Sequence, residues 1–553
     1  MKKRVATIVG CALVFAWLTV LYCNSFPLTS DATVLIDDGI EYARIMESGG
    51  PLFHPHHLLY HWIGELLWNI QKRASAPATI RAVVSLQFFS SLCGAAGVIA
   101  FFFLLKRFTF KPLLAACIAV GLGLSRGYWF FSASAETIIP GAVPSIIFFY
   151  LLFLIFEGPR TSLFFWLAIV TACGMMVRQD NFLLVLVVLI CLPFLEKGKR
   201  FRWSITYAAT TCIIASGAQL VCYRLSAPEA FSWSGFLFWS TQRAHYSHWC
   251  SLYNLRLPGL KIAFWRFIHA MGYGTVNQLD RIRPESLTKG MVSASMVTNA
   301  CMIVLSIIAV LTLMPALRAA VRKYRLHFLA CLSWVAIREI FLTWYVPEYI
   351  MAFSVGSLIP IAILMGVWFS EALDRGMPRI GIATLMAGLT FCSVLSGILT
   401  IIPFSRPTFY ADLERFERFT KPGDMIFVRE MYHYPLLTYL GKRQVAILDY
   451  YYDEDFRSLD KQRILPMMQR TFSEGKRVYL IPSGDSPFHP DKEQLEREFF
   501  RSYVLTPVRI DEMGHTRIVA WEVHPAGHPS IFNKAVSPLQ PSAPRHDQMW
   551  NVF

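Results

Sequence analysis

The sequence predicts a polytopic α-helical membrane protein with a soluble α/β domain at its C-terminal end. Hydrophobic residues make up 55% of the 553 residues and charged residues only 16%, which excludes an ordinary soluble protein of this length. Long apolar runs stop near residue 403, and shorter ones alternate with polar segments beyond it. The predicted parts are therefore a membrane part (1–403), a soluble domain (404–525) and a proline-containing polar tail (526–553) that is expected to be disordered.

The membrane part contains about eleven mostly apolar segments, each about 17–25 residues long, as a bilayer core requires. The first is interpreted as a retained span rather than a cleaved signal peptide, because no small-residue cleavage site follows it. The predicted spans lie near residues 5–22, 80–105, 112–126, 138–156, 161–177, 181–196, 203–223, 291–315, 327–346, 350–370 and 379–402.

Basic residues indicate the orientation of these spans. With the N-terminus in the cytoplasm, the dense basic clusters between spans all fall on the cytoplasmic side. They lie at residues 106–111, 160, 197–202, 318–325 and 375–379. The net charge of +15 therefore indicates membrane topology rather than nucleic acid as a partner. The same topology places the loop 25–79, the loop 224–290 and the C-terminal domain on the non-cytoplasmic side.

The non-cytoplasmic loop 25–79 holds two predicted helices, near 39–49 and 55–71, and the adjacent acids Asp37 and Asp38. Paired carboxylates beside a membrane body are costly unless they bind a cation, a metal or a substrate that gives up a proton. They are therefore the first candidates for catalysis. The alternative is a solvated pair, or an N-cap for the helix that begins near Gly39.

Histidines form a second candidate site in this loop. His54 and His56 precede the predicted second helix, and His57, His61 and Glu65 are spaced at i, i+4 and i+8, along one helix face. Two imidazoles and a carboxylate could bind zinc, although the His-Glu-x-x-His order of a zinc protease is absent. An amphipathic interfacial helix, or histidines that bind a phosphate or an acceptor, are the alternatives.

Further charged residues lie on the same predicted side. Arg178 stands between two apolar runs, where it could bind a phosphate in the headgroup region or extend its side chain to the interface. Arg338 and Glu339 interrupt an apolar run, and ionisable residues inside a membrane usually have a function. The candidate groove residues are His54, His56, His57, Glu136, Arg338, Tyr345 and Glu348.

The C-terminal domain alternates strand and helix patterns. Buried strands are predicted at 425–428, 445–448 and 478–481, with helices near 434–440, 454–473 and 491–500. This alternation favours a largely parallel sheet.

In this order, the motifs resemble those of the C-fold (GT-C) integral-membrane glycosyltransferases. The resemblance is to bacterial relatives of protein O-mannosyltransferases and lipid A aminoarabinose transferases. It is carried by Asp37-Asp38 after the first span, the helix from His54 to Trp68, Arg81-Ala82-Val83, Glu136 in the next outer loop, Arg178 before the sixth span, and Tyr345-Val346-Pro347.

The resemblance implies transfer of a sugar from a polyprenyl-phosphate carrier to an acceptor glycan, lipid or protein, on the non-cytoplasmic face of a bacterial inner membrane. It implies that Asp37 acts as the base, that Asp38 is its partner and that Arg178 binds the donor phosphate. The helices near 39–49 and 55–71 would be the juxtamembrane helices that shape the groove beside membrane lipid. Some members of the superfamily use a divalent metal ion and others do not.

Two other classes of protein stay open. Ion-coupling acids and many spans are also found in secondary transporters, although this chain shows no matching halves and carries a soluble domain. A membrane zinc metalloprotease would use His57 and His61 as zinc ligands. This sequence lacks the glutamate that such a protease has next to the first histidine.

Overall fold

The computed structural model describes most of the chain, in two compact units. The first is helical and ends at Arg406, and the second contains a β-sheet and also includes the first four residues of the helix Asp38–Ser48. The described residues are 2–25, 38–49, 53, 55–74, 82–109, 111–195, 197–226, 231–240, 255–273, 289–345, 354–404, 416, 418–428, 443–448, 459, 461–481, 498–512 and 515–525.

The helical unit consists of sixteen helices in the described ranges, and a 3₁₀ turn at Gln179–Leu183 separates two of them. In chain order they are α1 (Lys2–Asn24), α2 (Asp38–Ser48), α3 (Leu58–Ala74), α4 (Ala82–Thr109), α5 (Pro112–Gly123), α6 (Arg126–Ser132), α7 (Ile138–Glu157), α8 (Thr161–Val177), α9 (Leu184–Cys191), α10 (Arg200–Ser226), α11 (Trp233–Ser240), α12 (Leu257–Ala270), α13 (Lys289–Lys323), α14 (Arg325–Tyr345), α15 (Val355–Asp374) and α16 (Arg379–Phe404).

The chain is a multi-pass membrane protein, as predicted, but the count of eleven spans is not confirmed. Among the described residues, eight helices are long and apolar enough to cross a membrane, and a bent pair makes nine. The predicted span 112–126 belongs to that pair, and the spans predicted at 161–177 and 181–196 are shorter apolar helices. Hydropathy alone does not reveal these breaks.

The bent pair is α5 and α6, which meet at an angle of 65°. Ser125 between them is extended, with φ −66° and ψ 148°. Such a break leaves carbonyl oxygens without helical partners, and in a membrane they need other donors. The hydroxyl of Tyr22 donates to the Gly123 oxygen at 2.8 Å, and Ser125 Oγ donates to the Leu122 oxygen at 2.7 Å. The break is thus a satisfied part of the fold.

Small residues allow α4 to approach its neighbours closely, as membrane helix pairs commonly require. The hydroxyl of Tyr128 on α6 donates to the Gly94 oxygen at 3.0 Å. A Cβ added at Gly97 would lie 2.2 Å from the same hydroxyl oxygen. Glycine at position 97 therefore makes room for a buried tyrosine that is held in place by its hydrogen bond.

Gly97→Ala is expected to destabilise the protein by about 1–3 kcal/mol, because overpacking a well-filled interior forces neighbours to shift. The matched control is Gly217→Ala in α10, where nothing lies within 4 Å of the added Cβ; it should be neutral or stabilising by up to about 1 kcal/mol. Thermal unfolding in detergent measures both. Equal unfolding midpoints for the two variants would contradict this account.

The sheet unit contains five strands and one helix within its described residues. They are β1 (Met425–Val428), β2 (Gln444–Ile447), α17 (Lys461–Ser473), β3 (Val478–Leu480), β4 (Tyr503–Glu512) and β5 (His515–Pro525). The strand order is β2-β1-β3-β5-β4. Phe427, Leu448, Met468 and Phe500 belong to its buried core.

The three predicted strands are present, but the prediction of a largely parallel sheet is only half right. β1 pairs in parallel with β2 and β3, whereas β5 pairs antiparallel with both β3 and β4. The antiparallel half comes from the long strands β4 and β5, which the sequence pattern did not reveal, because polar residues interrupt both strands. The helix predicted at 434–440 and the tail 526–553 lie outside the described residues.

Candidate functional site

The break between α8 and α9 is the first element of the candidate site. Arg178 follows α8 with an extended backbone, φ −150° and ψ 114°. Irregular backbone at membrane depth needs partners for its polar groups. The side-chain Nδ2 of Asn181 donates to the Gly141 oxygen at 3.0 Å and to the Gly174 oxygen at 3.1 Å. The break therefore holds Arg178 and Asp180 at a fixed place in the helical unit.

Two guanidinium groups share the carboxylate of Asp180. Arg178 Nε donates to Oδ1 at 2.9 Å and to Oδ2 at 3.0 Å, and Arg338 Nη1 lies 2.7 Å from Oδ2. Arg178 is 8% exposed and Arg338 3%. We call these three side chains the Asp180 triad. It gathers two positive charges and one negative charge away from water, where charge is stable only beside counter-charge.

Arg338 is held in position by α14 and α15. Its guanidinium carbon lies 5.5 Å from the ring centroid of Trp334, a cation–π distance. Trp334 Nε1 donates to the Gly356 oxygen at 3.1 Å. A Cβ at Gly356 would lie 2.8 Å from the guanidinium carbon of Arg338, so a larger residue at position 356 would displace the guanidinium.

Glu339, the neighbour of Arg338, takes a different set of partners. Its carboxylate accepts hydrogen bonds from Arg266 Nη2 at 3.1 Å, from Ser354 Oγ at 3.1 Å and from Ser357 Oγ at 2.8 Å. Arg266 is fully buried. The Arg338-Glu339 dipeptide therefore connects two ion pairs, one to the break after α8 and one to α12.

The segment before α3 contacts the break as well. The backbone N–H of Gln179 donates to the His56 oxygen at 3.2 Å, and His56 Nδ1 is in hydrogen-bond contact with Gln179 Oε1. His57 Nδ1 lies 3.3 Å from the Val177 oxygen. The structure thus brings His56 and His57, both predicted from sequence, to the residues on either side of Arg178.

The predicted zinc site does not form. Among the described residues, no group of three or more His, Cys, Asp or Glu side chains is placed to hold a metal ion. α3 begins at Leu58, so His57 precedes the helix and does not share its face with His61 and Glu65. His61 is buried, with its ring 4.3 Å from the ring of Tyr42.

Glu136 precedes α7, which meets the break through Gly141, and Tyr345 ends α14, which contacts the 3₁₀ turn. Glu136 is buried and its backbone oxygen accepts a hydrogen bond from Ser90 Oγ at 3.1 Å. Tyr345 stacks on Phe341 with 5.6 Å between ring centroids, and Phe341 contacts Phe182 of the 3₁₀ turn at 5.2 Å.

Four other candidates cannot be placed. Asp37, His54 and Glu348 lie outside the described residues, and the side chain of Asp38 lies outside them too. The predicted roles of these residues stay predictions.

A second set of charges marks the opposite end of the same helices. Its ion pairs include Arg107–Glu157 at 2.6 Å, Lys111–Asp374 at 2.5 Å and Lys323–Glu371 at 3.3 Å. The 20 residues of α15 rise about 30 Å from the end beside Glu339 to Asp374. The basic clusters that indicate the predicted cytoplasmic side are therefore about one hydrocarbon thickness away from the Asp180 triad.

Known structures share this fold over nearly the whole chain. The crystal structure of ArnT from Cupriavidus metallidurans bound to undecaprenyl phosphate matches with a TM-score of 0.55 and 11% sequence identity, over 93% of this chain and 98% of that chain. The chain therefore shares the fold of ArnT. The apo state of the same ArnT matches with a TM-score of 0.53 and 11% identity, over 94% of this chain and 98% of that chain. No protein-family model and no curated protein matches the sequence.

Sequence reasoning gave no role to two charged residues of this site. Asp180 lies two positions after Arg178, and an acid between two apolar runs was the available signal. Arg266 lies in the predicted outer loop 224–290, where no charged residue was singled out. Its signal was the spacing of Arg266 and His269, which places both on one face of a helix.

Proposed function

We propose that this protein is a glycosyltransferase that moves a sugar from a polyprenyl-phosphate-linked donor to an acceptor. The observation that carries the proposal is the Asp180 triad, in which two buried guanidinium groups converge at one end of the helical unit. Support comes from the fold, which this chain shares with an ArnT structure that holds undecaprenyl phosphate.

The donor phosphate is proposed to bind beside Arg178 and Arg338. A guanidinium matches the oxygens of a phosphate group through paired N–H donors. As the bond to the sugar breaks, negative charge grows on the leaving phosphate, and the guanidinium groups stabilise it. The Asp180 carboxylate is proposed to keep both guanidinium groups oriented before the donor arrives.

The proposed chemistry is a single displacement with inversion. The acceptor hydroxyl oxygen forms a bond to the anomeric carbon, and the bond from that carbon to the phosphate oxygen breaks. The electron pair of the broken bond stays with the polyprenyl phosphate, and the hydroxyl proton passes to Asp37 as general base. Asp38 is proposed as the partner of Asp37.

His56, His57, Glu136, Tyr345 and Glu348 are proposed to border the groove between donor and acceptor. The acceptor, a glycan, a lipid or a protein, is proposed to approach from the non-cytoplasmic side, where the sheet unit is also proposed to lie. The N-terminus is proposed to face the cytoplasm of a bacterial inner membrane, because the basic clusters lie at the end away from the Asp180 triad.

Purified protein in lipid nanodiscs is expected to move radiolabel from polyprenyl-phosphate-linked sugars to acceptors in a membrane extract. The label should leave the lipid fraction only when protein, donor and extract are all present. Absence of turnover with every such donor, together with solute movement in liposomes, would contradict the proposal and favour the transporter.

Arg178→Gln is expected to raise the donor KM about 10- to 100-fold, because it removes charge-assisted hydrogen bonds to the phosphate. Arg338 still neutralises Asp180 in this variant, so the protein should fold. Arg178→Lys should recover part of the affinity. Arg107→Gln, at the opposite end and half-exposed, is the control and should leave the donor KM unchanged. An unchanged donor KM in Arg178→Gln would exclude this residue from the phosphate site.

A further inference from the structure

α12 buries an arginine and a histidine and exposes several large apolar side chains. The buried positions include Arg266, fully buried, and His269, 2% exposed. The exposed side chains are Leu257, Leu260, Phe264 and Trp265, which are 80%, 45%, 58% and 38% exposed. Arg266 and His269 are three residues apart, whereas Leu257, Leu260 and Phe264 are spaced by three and four residues, with Trp265 next to Phe264. The two sets therefore lie on different sides of the helix.

This polarity is the reverse of that of a helix on a protein surface in water, where the apolar stripe faces the core. Burial, and to a smaller extent the charge of Arg126, lower the pKa of His269 to about 4, so its imidazole is neutral at pH 7. The exposed side chains of α12 are mostly apolar, so its outer face is expected to contact an environment less polar than water. The 14 residues of α12 extend only about 21 Å, less than a bilayer core.

The inner face of α12 is fastened to the helical unit at the level of the Asp180 triad. Arg266 Nη2 lies 3.1 Å from the Glu339 carboxylate and 3.3 Å from Thr343 Oγ1. Beyond the C-terminal end of α12, Gly272 adopts φ +99°, and its oxygen accepts a hydrogen bond from Ser396 Oγ at 2.8 Å. The attachments at Arg266 and Gly272 hold the inner face of α12 against the helical unit. The apolar face therefore points away from the unit.

A second short helix at the same end also has exposed apolar side chains. α3 buries Tyr60 and His61 and exposes the apolar side chains of Trp62, Leu66 and Ile70. His57, just before α3, contacts the break after α8. α12 is joined to the same break indirectly, because Arg266 pairs with Glu339 and the neighbouring Arg338 pairs with Asp180. Two short helices thus present apolar faces outward at the same level of the helical unit.

We propose that α12 lies along the membrane interface and binds anionic phospholipid. The apolar face contacts acyl chains, and the exposed side chains of Arg256 and Lys261 contact headgroup phosphates. Aromatic residues with flanking basic residues are typical of helices at this depth, and a basic side chain near an anionic bilayer contributes about 1 kcal/mol of attraction. The placement does not depend on the proposed reaction, because it uses only the polarity of α12 and its attachment.

Photocrosslinking tests the placement. A benzophenone amino acid replaces Phe264 in the full-length protein, which is reconstituted in bilayers of phosphatidylethanolamine and phosphatidylglycerol and illuminated. Intact-mass spectrometry should show adducts with phospholipid. The same replacement at Phe391, exposed on the spanning helix α16, is the positive control, and Val504 on β4 of the sheet unit is the negative control.

Phosphatidylglycerol should be enriched among the Phe264 adducts above its share of the bilayer. The variant Arg256→Gln/Lys261→Gln should lower that enrichment about fivefold or more, while the adducts at Phe391 keep their yield. Adducts with a second protein chain in place of lipid, or a lipid yield as low as at Val504, would overturn the interfacial placement. Unchanged enrichment in the double variant would overturn the role of the two basic residues.

Discussion

Asp180→Asn is expected to destabilise the full-length protein by about 3–5 kcal/mol, the usual cost of breaking a buried ion pair by removing one partner. The carboxylate lies within 3.0 Å of Arg178 Nε and 2.7 Å of Arg338 Nη1. An amide of the same shape leaves both guanidinium groups buried without that negative charge. The loss should appear as a lower thermal unfolding midpoint in detergent.

Asp374→Asn is the matched control, because the same chemical change is made in a pair that water reaches. The side chains of Asp374 and Lys111 are 49% and 26% exposed. Exposed pairs contribute at most about 1 kcal/mol, so this variant should unfold close to the wild-type midpoint. Similar losses in the two variants would contradict the account of the Asp180 triad as a buried ion-pair network.

The Asp180→Asn variant also probes the proposed phosphate site. If a phosphate binds between the guanidinium groups, it supplies the negative charge that the substituted amide lacks. Added polyprenyl phosphate should then raise the unfolding midpoint more in Asp180→Asn than in wild type, since a ligand that binds only the folded state stabilises it. An equal or smaller rise would place the phosphate elsewhere while leaving the stability prediction intact.

Asp37→Asn is expected to reduce the turnover number about 10²- to 10⁴-fold, the range over which a positioned general base accelerates a reaction. An amide cannot accept the proton of the acceptor hydroxyl, whereas it leaves the phosphate site unchanged. The donor KM should therefore stay close to its wild-type value. Single-turnover transfer of radiolabelled sugar in nanodiscs measures the chemical step, and size-exclusion chromatography checks that the variant is inserted and folded.

Asp38→Asn separates the base from its partner. This variant should keep measurable transfer, because the proposed proton acceptor is still present. Loss of transfer in Asp38→Asn with retention in Asp37→Asn would reverse the two roles. Full activity in both variants would move the base to another residue and leave the fold and the Arg178 prediction unaffected.

Much of the fold could be predicted because hydropathy is a local property. An apolar run such as 138–156 contains its own signal for a spanning helix, and α7 occupies Ile138–Glu157. The bend between α5 and α6 depends on distant groups, including the Tyr22 hydroxyl, so no local pattern contained it. The antiparallel half of the sheet was missed for a similar reason, since the pairing of β5 with β3 is tertiary.

The candidate site could also be predicted only in part. Arg178, His56 and His57 could be singled out from sequence because polar residues between apolar runs are conspicuous. Their placement next to one another follows from contacts between α3 and the break after α8, which the sequence does not display. Asp180 pairs with Arg178 nearby in sequence and with Arg338 of α14, far along the chain. The second pairing could not be predicted from the local sequence. The candidate zinc ligands His57, His61 and Glu65 do not share a helix face, because α3 begins at Leu58.

The Asp180 triad also has a consequence for biogenesis. During synthesis, Asp180 enters the membrane together with Arg178, and this local pair is electrically neutral. Arg338 is made much later, so its guanidinium reaches the carboxylate only when α14 docks. The nascent N-terminal half is therefore inserted without the second positive charge. The proposed phosphate site has both guanidinium groups only after α14 has docked. A chain that stops before α14 is expected to insert and yet be unable to recruit that carrier.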